Sequence, residues 1–210
     1  MTIIVHHLEN SRSQRVLWML EELGLPYEVK RYERNTKTML APPELKAVHP
    51  LGKSPVIEDT EDGRVVAETG AIVEYLVEKA DGRLGAPPHR DAALRYRFWL
   101  HYAEGSLMPP LLVKLVLARI PLFGKMGQKR IQPMIDTHLD YIEAELAQRP
   151  WFAGDEMTAA DVMMSFPLEA ARSRAGLDAS RPATIAWLDK VHARPGYRTA
   201  LAKGGPYAYA

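Results

Sequence analysis

Gly52-Lys53-Ser54-Pro55-Val56-Ile57-Glu58-Asp59, a polar turn from Asp59 to Arg64, Val65-Val66-Ala67 and then Glu68-Thr69-Gly70-Ala71-Ile72 form the stretch on which the fold turns. Proline fixes φ and lacks an N–H, so Pro55 suits the first position or the edge of a strand. An X-Pro bond is also where a cis peptide is accessible, and a cis Ser54-Pro55 bond leaves the Ser54 backbone outside the sheet. Free backbone groups of that kind can pair with a peptide-like ligand. Glu68 and Thr69 open an apolar helical run, where unpaired N–H groups and the helix dipole favour a carboxylate. The two docks, across one hairpin, point to a small acidic peptide.

Working outward, residues 1–80 alternate strand and helix signals. Thr2 to His7 is β-branched and reads as a strand. Ser11 or Ser13 can cap a helix through Leu23, with Val16, Leu17, Leu20 and Leu23 on one stripe and Gly24 as the stop. Tyr27 to Tyr32 reads as a second strand. Pro42-Pro43-Glu44 opens a helical turn ending before His49-Pro50. Val56 to Glu58 and Val65 to Ala67 form a hairpin, and Thr69 to Lys79 is an amphipathic helix. The order βαβαββα predicts a mixed four-stranded sheet with helices. Residues 81–88 are a Gly/Pro-rich linker.

Residues 89–210 show no clear strand pattern and predict an all-helical domain. Arg90 to Leu107 is helical, and Met108-Pro109-Pro110 is expected to break or kink it. Another helix spans Gly127 to Gln148, with Pro133 inside or near its start. Thr158-Ala159-Ala160-Asp161 has the form of a capping box, with Asp in place of Glu or Gln; loss of Thr158 or Asp161 is expected to cost about 1 kcal/mol or more. Thr184 to Ala193 reads as the last main helix, stopped by Pro195-Gly196.

Composition excludes several classes. The 210 residues are 47% hydrophobic and 25% charged, ordinary for a globular chain, and the formal charge of +1 gives no global field toward nucleic acid or an anionic membrane. Lys125, Lys129 and Arg130 read as a solvated helix face. There are no cysteines, which removes disulfides, thiolate metal sites and protein thiol chemistry and is compatible with a reducing cytoplasm. Adjacent His6 and His7 suggest zinc, but alternating strand faces send them apart, so no metal is expected. Met1 to His7 lacks the features of a signal peptide. Leu107 to Phe123, the most apolar long stretch, carries Lys114, Arg119 and three prolines, making it a poor membrane span.

The segments His49 to Pro55, Glu68 to Ile72, Phe152-Ala153-Gly154-Asp155 through Asp161 and Arg194-Pro195-Gly196-Tyr197 together resemble the glutathione S-transferases over almost the whole chain. Leu8 to Arg15 followed by Trp18 to Leu23 looks most like a bacterial and fungal branch. The resemblance implies a thioredoxin-like first domain, an all-helical second domain, and a homodimeric cytoplasmic enzyme that conjugates glutathione to small hydrophobic electrophiles, with peroxidase side activity. It implies that Pro55 is cis, that Ser54 pairs with the cysteinyl part of glutathione, that Glu68 and Thr69 hold the γ-glutamyl end, and that Lys53 reaches the glycyl carboxylate. Tyr102, Leu107, Met108 and Leu111 are candidates to line a hydrophobic pocket, with core packing the competing role for each. Tyr207 and Tyr209 would cover it or fray.

Thiol activation needs a donor, since a free thiol of pKa about 8.5 is mostly protonated at neutral pH. No tyrosine lies between Met1 and Tyr27, and the cysteine-using branches are excluded. The candidates are Ser11, the hydroxyl just past the first strand; Asn10, which can donate through its amide; and Ser13. Two rivals to conjugation stand beside it: a non-catalytic glutathione-binding or regulatory protein, and a disulfide-bond reductase acting through two bound glutathiones.

Overall fold

The computed structural model describes residues 2–121 and 123–209. It contains two compact units: one runs to Gly85 and takes in His192–Ala208, and the other is Ala86–Val191 with Tyr209.

In the first unit the order is β1 (Ile3–Leu8), α1 (Ser13–Leu23), β2 (Tyr27–Tyr32), α2 (Leu45–Val48), β3 (Val56–Asp59), β4 (Arg64–Ala67) and α3 (Thr69–Lys79). The sheet order is β2-β1-β3-β4. β1 and β2 run parallel, as a strand–helix–strand connection dictates, and β3 is antiparallel to both neighbours. This is the expected mixed thioredoxin-like sheet. Ile3, Val5, Ile57, Leu17, Leu20, Ile72, Val73 and Leu76 are buried. Gly24 ends α1 at φ 61°, and its N–H reaches the Leu20 and Glu21 carbonyls.

Pro195-Gly196 does more than stop the preceding helix. Pro195 starts another, α9 (Pro195–Gly204), with proline in its first turn, where no intrahelical donor is needed. α9 packs on α1. The segment 192–208, read from the sequence as part of the helical domain, therefore clusters with the first unit. It also explains why α1 is buried nearly all round rather than along one stripe. Two ion pairs tie it down: Arg194 to Glu22 at 2.7 Å and Lys203 to Glu21 at 2.6 Å.

Asp59, at the end of β3, accepts from Tyr75 Oη (2.5 Å), Lys79 Nζ (2.7 Å) and the Glu61 N–H (3.0 Å). Burial opposes its charge, but these donors, Lys79 foremost, outweigh burial and hold its pKa down at about 2, against an ordinary 3.8. Its contribution is therefore complete above about pH 4 and lost as pH falls through about 2. Denaturant melts at pH 5 and pH 2 should show Asp59→Asn removing about 1–2 kcal/mol of the difference; an unchanged difference would mean the network is not coupled to folding.

The second unit holds α4 (Arg90–Tyr102), a π-helical turn (Ala103–Leu107), α5 (Met108–Leu117), α6 (Gly124–Leu146), α7 (Ala159–Arg174) and α8 (Pro182–His192). Met108-Pro109-Pro110 does not break the chain's helical course. The prolines sit in the first turn of α5, and the wider π turn ahead of them absorbs the mismatch. Pro133 lies inside α6 without ending it. Thr158 and Asp161 close a capping box at the start of α7. The carboxylate of Asp161 accepts from the Thr158 N–H (2.8 Å) and hydroxyl (3.1 Å), and additionally from the Phe152 N–H (3.0 Å), nine residues back. Among the described residues no helix is long and apolar enough to cross a membrane.

Candidate active site

Sheet register brings the separate motifs of the first unit to one place. His6 pairs with Val56 and Val56 with Ala67. One step beyond both ladders, Leu8 and the turn after it, Ser54-Pro55, and Glu68-Thr69 must lie side by side at one end of the sheet. The Ser54 hydroxyl joins two of these segments, donating to the His6 carbonyl at 2.7 Å and accepting from the Leu8 N–H at 3.2 Å. The Ser54–Pro55 peptide is cis. Ser54 lies outside β3, and its main-chain groups make no turn or loop hydrogen bond among the described residues.

Glu68 precedes α3 with φ 70° and ψ 123°, a conformation that costs a non-glycine residue about 1–3 kcal/mol. Its side chain is exposed and makes no hydrogen bond or ion pair among the described residues, and neither does that of Lys53. Thr69, the first residue of α3, is buried. An exposed carboxylate thus stands directly before a helix N-terminus, groups with the chemistry to take a ligand's ammonium and its carboxylate respectively.

The turn from Glu9 to Arg12 separates the three candidate donors. Ser13 is the first residue of α1, and both it and Ser11 are buried. The Ser13 N–H donates to Ser11 Oγ at 3.2 Å, so Ser11 serves the start of the helix. The two hydroxyls share a bond of 2.7 Å, and Ser13 Oγ meets His7 Nδ1 at 2.8 Å. Burial, reinforced by the Arg31 charge, pushes His7 down to about 4 despite its ring's bond to the Gly204 main chain, so it is neutral near pH 7. A neutral ring that donates to Gly204 has Nδ1 left as acceptor for Ser13. Ser13's oxygen then accepts from Ser11, and the Ser11 proton is directed inward.

Asn10 is different. It sits at φ 49°, a left-handed conformation that asparagine tolerates. The Arg34 guanidinium holds the main chain, donating to the Glu9 carbonyl (3.2 Å) and the Asn10 carbonyl (3.3 Å). The Ala208 N–H donates to Asn10 Oδ1 at 2.7 Å, which leaves Nδ2 as the end of the amide without a partner among the described residues. Sequence reasoning missed Arg34, His7 and Ala208, for which no local motif exists.

His6 and His7 part to opposite faces as expected, His6 bonding Tyr32 Oη (2.8 Å) and Glu58 Oε1 (2.7 Å). Of the four residues read as pocket lining, Leu107 and Leu111 are fully buried and Met108 nearly so. They are core positions of the helical unit and offer a ligand no accessible surface; only Tyr102, hydrogen-bonded to His138, keeps some. The exposed apolar residues nearby are Phe98, Leu112, Val113 and Val116. Tyr209 lies edge-on to Phe166 at 5.7 Å and beside Arg174.

A thioredoxin-like sheet with polar side chains gathered at one end, joined in one chain to an all-helical unit, defines the class of protein. The family comparison narrows it: the glutathione S-transferase N-terminal domain matches residues 11–79, and the glutathione S-transferase C-terminal domain matches residues 125–190. The chain is 38% identical to glutathione S-transferase 3 of Schizosaccharomyces pombe, over 96% of this chain and 87% of that protein. It is 32% identical to glutathione S-transferase 1 of Saccharomyces cerevisiae, over 96% and 94%. A crystal structure of a glutathione S-transferase from Actinobacillus pleuropneumoniae superposes with a TM-score of 0.87 at 34% identity, covering 99% of this chain and 95% of that one. The chain belongs to the glutathione S-transferase family.

Proposed function

We propose that the protein binds glutathione at this end of the sheet, lowers the pKa of its thiol, and directs the thiolate at small hydrophobic electrophiles. The observation that carries the reading is Glu68, held exposed in a strained conformation on the N-terminus of α3. Its carboxylate would meet the γ-glutamyl ammonium, Thr69 the adjoining carboxylate, the Ser54 backbone the cysteinyl peptide, and Lys53 the glycyl carboxylate. Asn10 Nδ2 would donate to the sulfur, assisted by the N-terminal end of α1. Ser11, the first hydroxyl after β1, remains the alternative donor, but its proton is already engaged toward Ser13. A homodimer in the cytoplasm, with peroxidase side activity, completes the reading.

A calorimetric titration with glutathione, followed by a thiolate absorbance scan of the complex against pH, tests it. Binding with a thiol pKa well below about 8.5 supports the enzyme; binding with an unshifted thiol would leave a glutathione-binding module. Glutathione-dependent disulfide reduction is a second reading, favoured by the absence of any protein cysteine and by an amide rather than a hydroxyl being free at the site. Assaying conjugation and disulfide reduction on one sample separates the two.

Glu68 gives a prediction with opposed signs. Glu68→Gly relieves the strained φ and should raise the unfolding free energy by about 1 kcal/mol, while weakening glutathione binding about tenfold or more through loss of a charged contact. Thermal melts and titration of the same variant check both. A variant that loses stability as well as affinity would make Glu68 a structural residue.

A further inference from the structure

The geometry points to the segment Gly205–Ala208 as a positioning element for thiol activation, acting through one main-chain hydrogen bond to Asn10. This rests on the proposed role of Asn10 as donor.

The segment is guided to its place. Gly204, the last residue of α9, is buried, and a Cβ there would come within 2.7 Å of Gln14 Oε1 and 3.0 Å of Leu17 Cδ1. Gly205 has φ 84°, and a Cβ there would lie 2.6 Å from the Arg31 guanidinium. Two successive glycines thus let the backbone pass close over α1 and β2, where any side chain would push it off. Pro206 follows, and at Ala208 the main-chain N–H meets Asn10 Oδ1 at 2.7 Å.

This contact selects one of two orientations. A carboxamide rotated by half a turn exchanges a donor for an acceptor at nearly the same volume. Facing a thiolate, the nitrogen attracts and the oxygen repels. A main-chain N–H can bond only to the oxygen, so the Ala208 contact commits Nδ2 to the other end. With the main chain of Asn10 already fixed by Arg34, the side-chain rotation is the remaining freedom, and it is this freedom that the segment removes.

Ala208→Pro deletes the N–H and little else. In the full-length protein it should raise the thiol pKa of bound glutathione by about one unit and lower kcat about tenfold, the effect of one hydrogen bond, with KM for glutathione nearly unchanged. Ala208→Gly, which keeps the N–H, should restore the parent values. The decisive measurement is the cycle with Asn10→Ala: once the amide is gone, Ala208→Pro should change neither the thiol pKa nor kcat further. Equal losses in both backgrounds, or a loss in KM alone, would overturn the positioning role. If Asn10→Ala itself leaves the thiol pKa unmoved, the donor assignment fails instead, and the two failures are told apart on the same set of proteins. Melting temperatures of all variants separate these outcomes from misfolding: an Ala208→Pro protein that melts far below the parent has lost its docking, and Ala208→Gly with Asn10→Ala then carries the comparison through the same thiol pKa readout, a shift in the former overturning the idea.

Discussion

At pH 4.5, Asp161→Ala should lower the unfolding free energy by about 3–5 kcal/mol, well beyond the roughly 1 kcal/mol of an ordinary helix cap. Asp161 is completely buried, and its carboxylate satisfies the N–H groups of both Thr158 and Phe152. Alanine leaves those donors buried and unpaired, each costing about 1–3 kcal/mol, and releases the 152–158 loop from α7. Thr158→Ala removes less, about 1 kcal/mol, because the carboxylate keeps its two main-chain donors. Burial pushes Asp161 up to about 6, against the hydrogen bonds from Phe152 and Thr158 that favour its charge. Because the folded pKa is raised, this group's contribution is fully present below about pH 4 and falls away as pH rises through about 6, by roughly 3 kcal/mol. Denaturant melts of parent and variant at pH 4.5 and pH 8 test both statements. Asp161→Ala should flatten the pH dependence in that range, and a variant as stable as Thr158→Ala would show that the loop contact contributes nothing.

Asn10→Ala should lower kcat/KM for conjugation about a hundredfold and return the bound thiol most of the way to about 8.5, the usual scale for losing one donor to a developing or stored anion. Ser11→Ala should do the reverse of what its position suggests. It leaves the Ser13 N–H unpaired and costs about 1 kcal/mol of stability, yet the thiol pKa should stay within a few tenths of the parent. Thiolate absorbance titrations of the two complexes decide the matter. A shifted thiol in Ser11→Ala and an unshifted one in Asn10→Ala would transfer the donor role to the serine and require the Ser11 proton to turn outward when glutathione binds.

The mixed sheet and the order of its elements along the chain were legible because their signals are local. Ile3-Ile4-Val5, Tyr27 to Tyr32 and the two short runs around the Asp59 turn carry strand chemistry, and Gly24 marks its helix end unambiguously. The hairpin register also carried Ser54, Pro55, Glu68 and Thr69 to one end of the sheet, so their proximity could be read from spacing. Three features could not. Pro195-Gly196 suits both a helix stop and a helix start, and only the packing of α9 on α1 decides. The prolines at 109 and 110 say that a regular helix cannot continue, not that a π turn will absorb the offset. The donors are hardest. Ser11 and Asn10 are both candidates in sequence, and what separates them is the bond of Ser11 to Ser13, itself held by His7, and the contact of Asn10 with Ala208, 198 positions away.

The return of α9 to the first unit also bears on how this chain can be made. During synthesis the sheet and α1 emerge early, yet the surface of α1 that α9 covers stays bare until residues 195–204 have been translated. Over that interval the nascent first unit carries Leu17 and Trp18 without the cover of α9, apolar surface of the kind that recruits chaperones or aggregates. A fragment ending at the 81–88 linker should therefore be poorly soluble, whereas a circular permutant that begins near residue 90 and delivers α9 just ahead of β1 would shorten the wait and should refold with higher yield.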